Sequence, residues 1–171
     1  MTFLSRLLRP DRTPPVGDAL YRAIVIEARM PDWYMAGAVP DTVDGRFDAV
    51  ALVLALVLLR LEANGDEAWQ FSADLTECFI ADMDGSLREL GIGDPTVGKQ
   101  VGHMVSALGG RLGAYRDALA GNADLGEALG RNLYRGAATD VTAVDWAVRR
   151  VRALAARIAA VPAAELRAGT L

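Results

Sequence analysis

The sequence is short of the residues on which most chemistry depends: it holds one cysteine and one histidine, and aromatic side chains make up 6% of it. A single cysteine, Cys78, excludes an internal disulfide. With no histidine or basic cluster nearby to lower its pKa, it reads as a buried apolar residue. A single histidine, His103, excludes a multi-histidine zinc site and the Glu-x-x-His pairs of a di-iron bundle. On a helical wheel it lies with Lys99 and Asp117, away from the apolar stripe, as a solvated residue does. Serine catalysis would need this same histidine, and no G-x-S-x-G motif accompanies it. Basic charge is in deficit, 18 Lys and Arg against 22 Asp and Glu, for a net charge of -4. That balance argues against a nucleic-acid partner. Long apolar runs are also missing. The longest, Ala49–Leu59, has 11 residues, which as helix span about 16 Å, roughly half a bilayer's apolar core. Arg46, Asp48, Arg60 and Glu62 close it at both ends, so it reads as a buried core helix. The stretch Phe3–Leu8 is too short, and too interrupted by Arg6, for a secretory signal. The expected location is the cytoplasm.

What is present is alanine, leucine and valine, within a hydrophobic fraction of 52%. A chain of 171 residues is the size of one domain and buries roughly 70% of its unfolded surface, enough to fold without metal or disulfide. Residues 1–16 stand apart. Phe3, Leu4, Leu7 and Leu8 share one face of a short helix, Arg6, Arg9 and Arg12 add charge, and Pro10, Pro14 and Pro15 break it. This segment reads as a flexible tail or a weak membrane-surface anchor. Residues 17–171 read as the folded domain. Periodicity of three and four places helices over about 17–29, 43–63, 66–90, 96–120, 124–135 and 140–160. Pro31 stops the first, Asp41 or Thr42 caps the second, and Asn64-Gly65 ends it. The second helix is apolar nearly all round, which marks a central element. The 96–120 stripe includes Val101, Met104, Val105, Leu108, Leu112 and Tyr115. The last helix places Val141, Val144, Val148, Val151, Ala155 and Ile158 on one side. With no strand alternation and no internal repeat, the expected fold is an all-α, compact single-domain bundle of six to seven helices.

The motifs that approach known chemistry fail on spacing or context. Gly93 to Lys99 fits G-x-x-x-x-G-K, but Gln100 stands where a magnesium-holding Ser or Thr belongs, and helix rather than strand precedes it. Asp82-Met83-Asp84-Gly85 matches the opening of a calcium loop, yet Leu87 and Gly93 occupy its turn-glycine and closing-glutamate positions. Asp84 and Arg88, four apart, read as a surface ion pair. Asp74 and Glu77 share a helix face, as in all-α magnesium-dependent nucleotide pyrophosphohydrolases, but a second carboxylate pair on another helix is missing. That hydrolase is the alternative reading, and a lipid-surface module is a third. The run Arg149, Arg150, Arg152 and Arg157 would either join a basic surface or pair with the acidic helix 66–84.

Two features ask for a binding role. Gly98, Gly102, Ser106, Gly109 and Gly113 fall within roughly 80° of one another on one helix. Each mid-helix glycine costs up to about 1 kcal/mol relative to alanine. Such a stripe admits a close-packed neighbour, either another helix of the domain or a partner's helix docking over Gly102 and Gly109. The stretch from Arg29 to Phe47 carries Trp33 and Tyr34 beside turn residues and Pro40. It is expected to be a structured loop, its aromatics closing one end of the core or, with Arg29 and Arg46, forming a contact surface.

Four ordered blocks carry a family resemblance. They are Leu20-Tyr21 with Ala28-Arg29-Met30-Pro31-Asp32-Trp33-Tyr34; Val39-Pro40-Asp41-Thr42-Val43-Asp44-Gly45-Arg46-Phe47-Asp48; Asp82-Met83-Asp84 with Leu87 to Asp94 and Val97-Gly98-Lys99; and Gly110-Arg111 with Ala114-Tyr115. Together they resemble the ubiquinol–cytochrome c chaperone family, well over residues 18–120 and in helical pattern beyond. Ala38 departs from the glycine expected before Val-Pro-Asp, and Val53 lies where a histidine is expected nearby. The resemblance implies an all-helical assembly factor for complex III, working by binding, with no catalytic residue, metal or cofactor. It implies a protein client, cytochrome b or another membrane protein, and a small partner protein. A weak membrane-surface contact, peripheral at the inner membrane, fits the same role. With the two features above, it marks Arg29, Trp33, Tyr34, Asp41, Arg46, Asp84, Arg88, Asp94, Lys99, Gly102, Gly109 and Arg111 as partner-binding residues.

Overall fold

The computed structural model describes residues 16–63, 65, 68–89 and 94–171. The expected N-terminal tail or anchor, and the glycine loop before Asp94, lie outside the described residues. Among the described residues eight helices follow one another: α1 (Asp18–Ala28), α2 (Pro31–Met35), α3 (Val43–Glu62), α4 (Trp69–Glu89), α5 (Asp94–Leu119), α6 (Leu125–Asn132), α7 (Val141–Ala160) and α8 (Ala163–Arg167). There is no strand among the described residues, and the all-α expectation holds. Six of the eight match expected helices. The two short ones, α2 and α8, have five residues each, below the length at which a periodic pattern is legible.

The arrangement follows from α3. Its side chains from Phe47 to Leu58 are buried on every side, so it must be surrounded. α1, α4, α5 and α7 pack round it, α6 bridges α5 and α7, and α8 folds back onto α1. Val53 sits in this core, fully buried. Caps set the helix starts: the Thr42 hydroxyl accepts from the Gly45 amide, the Asp124 carboxylate from Glu127 and the Asp140 carboxylate from Thr142.

Three expected faces need correction. On α7 the buried line is Ala143, Ala147, Val151, Leu154 and Ile158, whereas Val141 is 72% exposed. Val151 and Ile158 lie where expected, while Val144 and Val148 are partly buried on the flank of α7. On α5 Val105 is exposed, because Leu108, Tyr115 and Ala118 form the inner line. Cys78 is only half-buried and donates weakly to the Val16 carbonyl at 3.8 Å. Burial and the nearby carboxylates of Asp18, Asp74 and Glu77 push its thiol pKa up, which keeps it unreactive.

Candidate functional site

The chain from Arg29 to Phe47 is a built structure. Trp33 is fully buried, donates its indole N–H to the Glu27 carbonyl at 3.1 Å and meets the Trp146 ring edge-on at 5.5 Å. The Tyr34 hydroxyl donates to the Ala28 carbonyl at 3.0 Å. The Tyr134 hydroxyl, from beyond α6, donates to the Gly37 carbonyl at 2.6 Å. Two glycines are required here by space: a Cβ at Gly37 would lie 2.6 Å from the Trp33 carbonyl oxygen, and one at Gly45 2.0 Å from that of Pro40. Beneath the loop, Glu27 pairs with Arg150 and, at 2.6 Å, with Arg157. Those two arginines therefore serve α1, not the acidic helix α4.

Ala38, the position where a glycine is expected, has φ +48°, in the left-handed region that costs a non-glycine residue about 1–2 kcal/mol. Ala38→Gly is expected to raise stability by up to about 1 kcal/mol, once glycine's larger unfolded-state entropy is deducted; urea melts check this. Burial pushes the Tyr134 hydroxyl pKa up to about 12, above the ordinary value near 10 of an unfolded chain. Its contribution is complete below pH 10. As pH rises from about 10 to 12 the unfolded chain loses this proton while the folded chain keeps it. Stability should then fall by about 1.4 kcal/mol per pH unit, and Tyr134→Phe should lose that share of the slope in alkaline melts.

Four of the expected residues meet in one hollow of about 440 Å³, lined by Arg29, Tyr34, Asp41 and Arg46 with Pro31 and Met35. Arg46 and Asp41 are exposed and paired at 2.7 Å, and each holds the other charged: Asp41's pKa is lowered and Arg46's raised. A second hollow of about 400 Å³ shares Arg29 and Arg46 with the first. Val43, Phe47, Val50, Met83 and Met104 line it, together with Asp44, Asp82 and Glu89. A third shares Phe47 and Met104 with the second and is lined also by Lys99 and Arg111. The three hollows form one continuous face from α2 across α3 to α5.

Other expected residues fall elsewhere. Asp84 and Arg88 make their own exposed pair along α4 at 2.7 Å. Asp94 opens α5, and its side chain lies outside the described residues. A Cβ at Gly98, Gly102, Gly109, Gly110 or Gly113 would meet no atom of the described residues within 4 Å. The expectation that a neighbouring helix of the domain fills this groove is therefore corrected: α5 turns it away from α3 and α4. Trp33 and Arg111 are not surface residues; they support the face from beneath.

Two residues not singled out in the sequence, Asp48 and Arg135, hold the centre of this support together with Arg111. Asp48 is fully buried and accepts from Arg111 and from Arg135, each at 2.6 Å. Arg111 also donates to the carbonyls of Ala107 and Asn132 and lies over the Phe47 ring at 5.4 Å. Arg135 reaches Asp44 at 2.8 Å from a backbone with φ +53°. Burial raises the Asp48 carboxyl pKa by more than the two guanidiniums lower it. The available signal was a carboxylate at the edge of an apolar run, since a buried charge requires partners.

Nothing in this arrangement assembles a metal centre. Asp74 accepts from Gln70 at 2.9 Å, and no group of three or more His, Cys, Asp or Glu is placed to hold a metal among the described residues. No helix among them is long and apolar enough to cross a membrane.

Comparison with known proteins gives two findings. The family model described as ubiquinol-cytochrome C chaperone matches residues 36–171, which takes in α6 to α8 beyond the expected limit of 120 and leaves the Ala28–Tyr34 block outside. The crystal structure of the Cbp3 homolog from Brucella abortus matches with a TM-score of 0.78 and 31% identity, over 91% of this chain and 87% of that one. No curated protein matches the chain. An all-helical fold built round α3, the family match over most of the sequence and the likeness to the Cbp3 homolog lead to one conclusion: the chain belongs to the ubiquinol–cytochrome c chaperone family.

Proposed function

We propose that this chaperone works by binding alone, and that it holds a respiratory membrane-protein client of cytochrome b type during complex III biogenesis. The client-contact surface is the hollowed face, with Arg29, Tyr34, Asp41 and Arg46 at one end and Lys99 at the other. The observation that carries this reading is the chemistry of the middle hollow. Its lining joins apolar side chains, two of them methionines, to charges of both signs. Methionine adapts to varied apolar shapes, and mixed charge fixes the register of an amphipathic segment laid across it. The protein would act in the cytoplasm, peripheral to the inner membrane.

Arg46→Ala is the first test. The Arg46–Asp41 pair is exposed at both ends, so the melting temperature should hardly change. Capture of client from solubilised membranes, read by mass spectrometry, should fall by about tenfold, the effect of one interfacial charge worth about 1.4 kcal/mol. An unfolded variant would make Arg46 structural, and undiminished capture would move the contact elsewhere.

A further inference from the structure

The third hollow differs from its neighbours in charge. Its volume is about 600 Å³, and among the described residues no carboxylate lines it. Four other hollows each carry at least one Asp or Glu. In a chain of net charge -4, Lys99, His103, Arg111 and Arg135 face one cavity. Lys99, His103, Ala107 and Arg111 follow one another at steps of four along α5, so they stack on one face. Ala107 leaves room in the middle of that ladder. Behind it the buried Asp48 holds both guanidiniums at 2.6 Å, fixing them without presenting a carboxylate to the cavity. The Arg111 side chain is 10% exposed, and its Nε has no hydrogen-bond partner among the described residues. Asp44 meets Arg135 at 2.8 Å from the adjoining hollow.

We propose that this cavity binds the phosphodiester of an anionic phospholipid headgroup. Several donors converging from Lys99, His103, Gln100 and Arg135 suit a group with many acceptor oxygens. Phe47 and Met104 carry the lining into the apolar middle hollow, where Val43, Val50 and Met83 offer a place for the start of an acyl chain. A phosphate alone would use the first part; a lipid uses both. The site shares Lys99 and the middle hollow with the proposed client surface, but its test contains no client, so its failure is distinguishable from the failure of that reading.

Lys99 is the only lysine and His103 the only histidine in the sequence, so each gives a single reporter of this cavity. With isotope-labelled reductive methylation of Lys99 and the His103 imidazole followed by NMR, the full chain is titrated with phosphatidylcholine vesicles, the same vesicles containing phosphatidylglycerol, glycerol phosphate and inorganic phosphate. The expected result is perturbation of both reporters only by the phosphatidylglycerol vesicles at low lipid, weakening with salt. In vesicle sedimentation, Lys99→Glu with His103→Glu should reduce binding at least tenfold. Arg149→Glu with Arg152→Glu, an equally exposed change on α7, should reduce it by less than half that factor. Equal loss in both variants, or binding with unmoved reporters, would mean charge attraction without a site and overturn the proposal. Saturation by inorganic phosphate or glycerol phosphate at concentrations matching the lipid would overturn the lipid as ligand and leave a soluble phosphate in its place.

Discussion

Asp48→Ala is expected to destabilise the chaperone by about 3–5 kcal/mol, the usual loss when one partner of a buried ion pair is removed. Three facts set the size of the effect. Asp48 is fully buried, it is bonded to Arg111 and Arg135 at once, and Arg111 is itself buried. Removing the carboxylate leaves a guanidinium without its counter-charge beneath the hollowed face. Arg135, whose side chain is 46% exposed, can turn to water; Arg111 cannot. Asp48→Asn preserves shape and one acceptor but not charge, so it should fall between alanine and wild type. Urea unfolding measures all three. A loss below about 1 kcal/mol for alanine, the level of an ordinary surface pair, would show that the network contributes little.

The second large effect has the opposite sign. Replacing Gly98, Gly102, Gly109 and Gly110 together by alanine should stabilise the protein by about 3–4 kcal/mol, since each mid-helix glycine costs up to about 1 kcal/mol and a Cβ at each of these positions meets no atom of the described residues. The midpoint in urea should move up with little change in slope. Client capture should be unchanged, because none of the four lines the hollowed face. A stabilised variant that no longer captures client would transfer the contact to the glycine side of α5. A destabilised one would mean that the groove is closed within the fold.

Periodicity placed every helix of eight or more residues, because long amphipathic or apolar runs leave an unmistakable pattern. On α7 it placed Val151 and Ile158 correctly but took Val141, which is exposed, and Val144 and Val148, which are partly buried, for positions that Ala143, Ala147 and Leu154 hold. Hydropathy ranks a valine above an alanine, whereas close helix packing selects the smaller. For the site, the sequence supplied Arg29, Tyr34, Asp41, Arg46 and Lys99 as separate residues, and only the fold brings them to one face. The place of Asp48 at the edge of an apolar run signalled a buried charge, but not that Arg111 and Arg135 are its partners. Those two lie 63 and 87 residues from Asp48, and nothing local announces such a contact. The glycine stripe was legible as a pattern, but whether it was filled or open depended on how α5 is rotated against α3 and α4.

Site-specific photo-crosslinking during complex III assembly tests the central claim most directly. A photoreactive side chain is placed in turn at Tyr34, Val43 and Met104 on the hollowed face, and at Gly102 and Gly109 on the glycine stripe of α5, which lines none of the three hollows. The predicted result is adducts with cytochrome b from the first three positions and background from the last two. Adducts confined to Gly102 and Gly109, or adducts with proteins unrelated to complex III from every position, would contradict it.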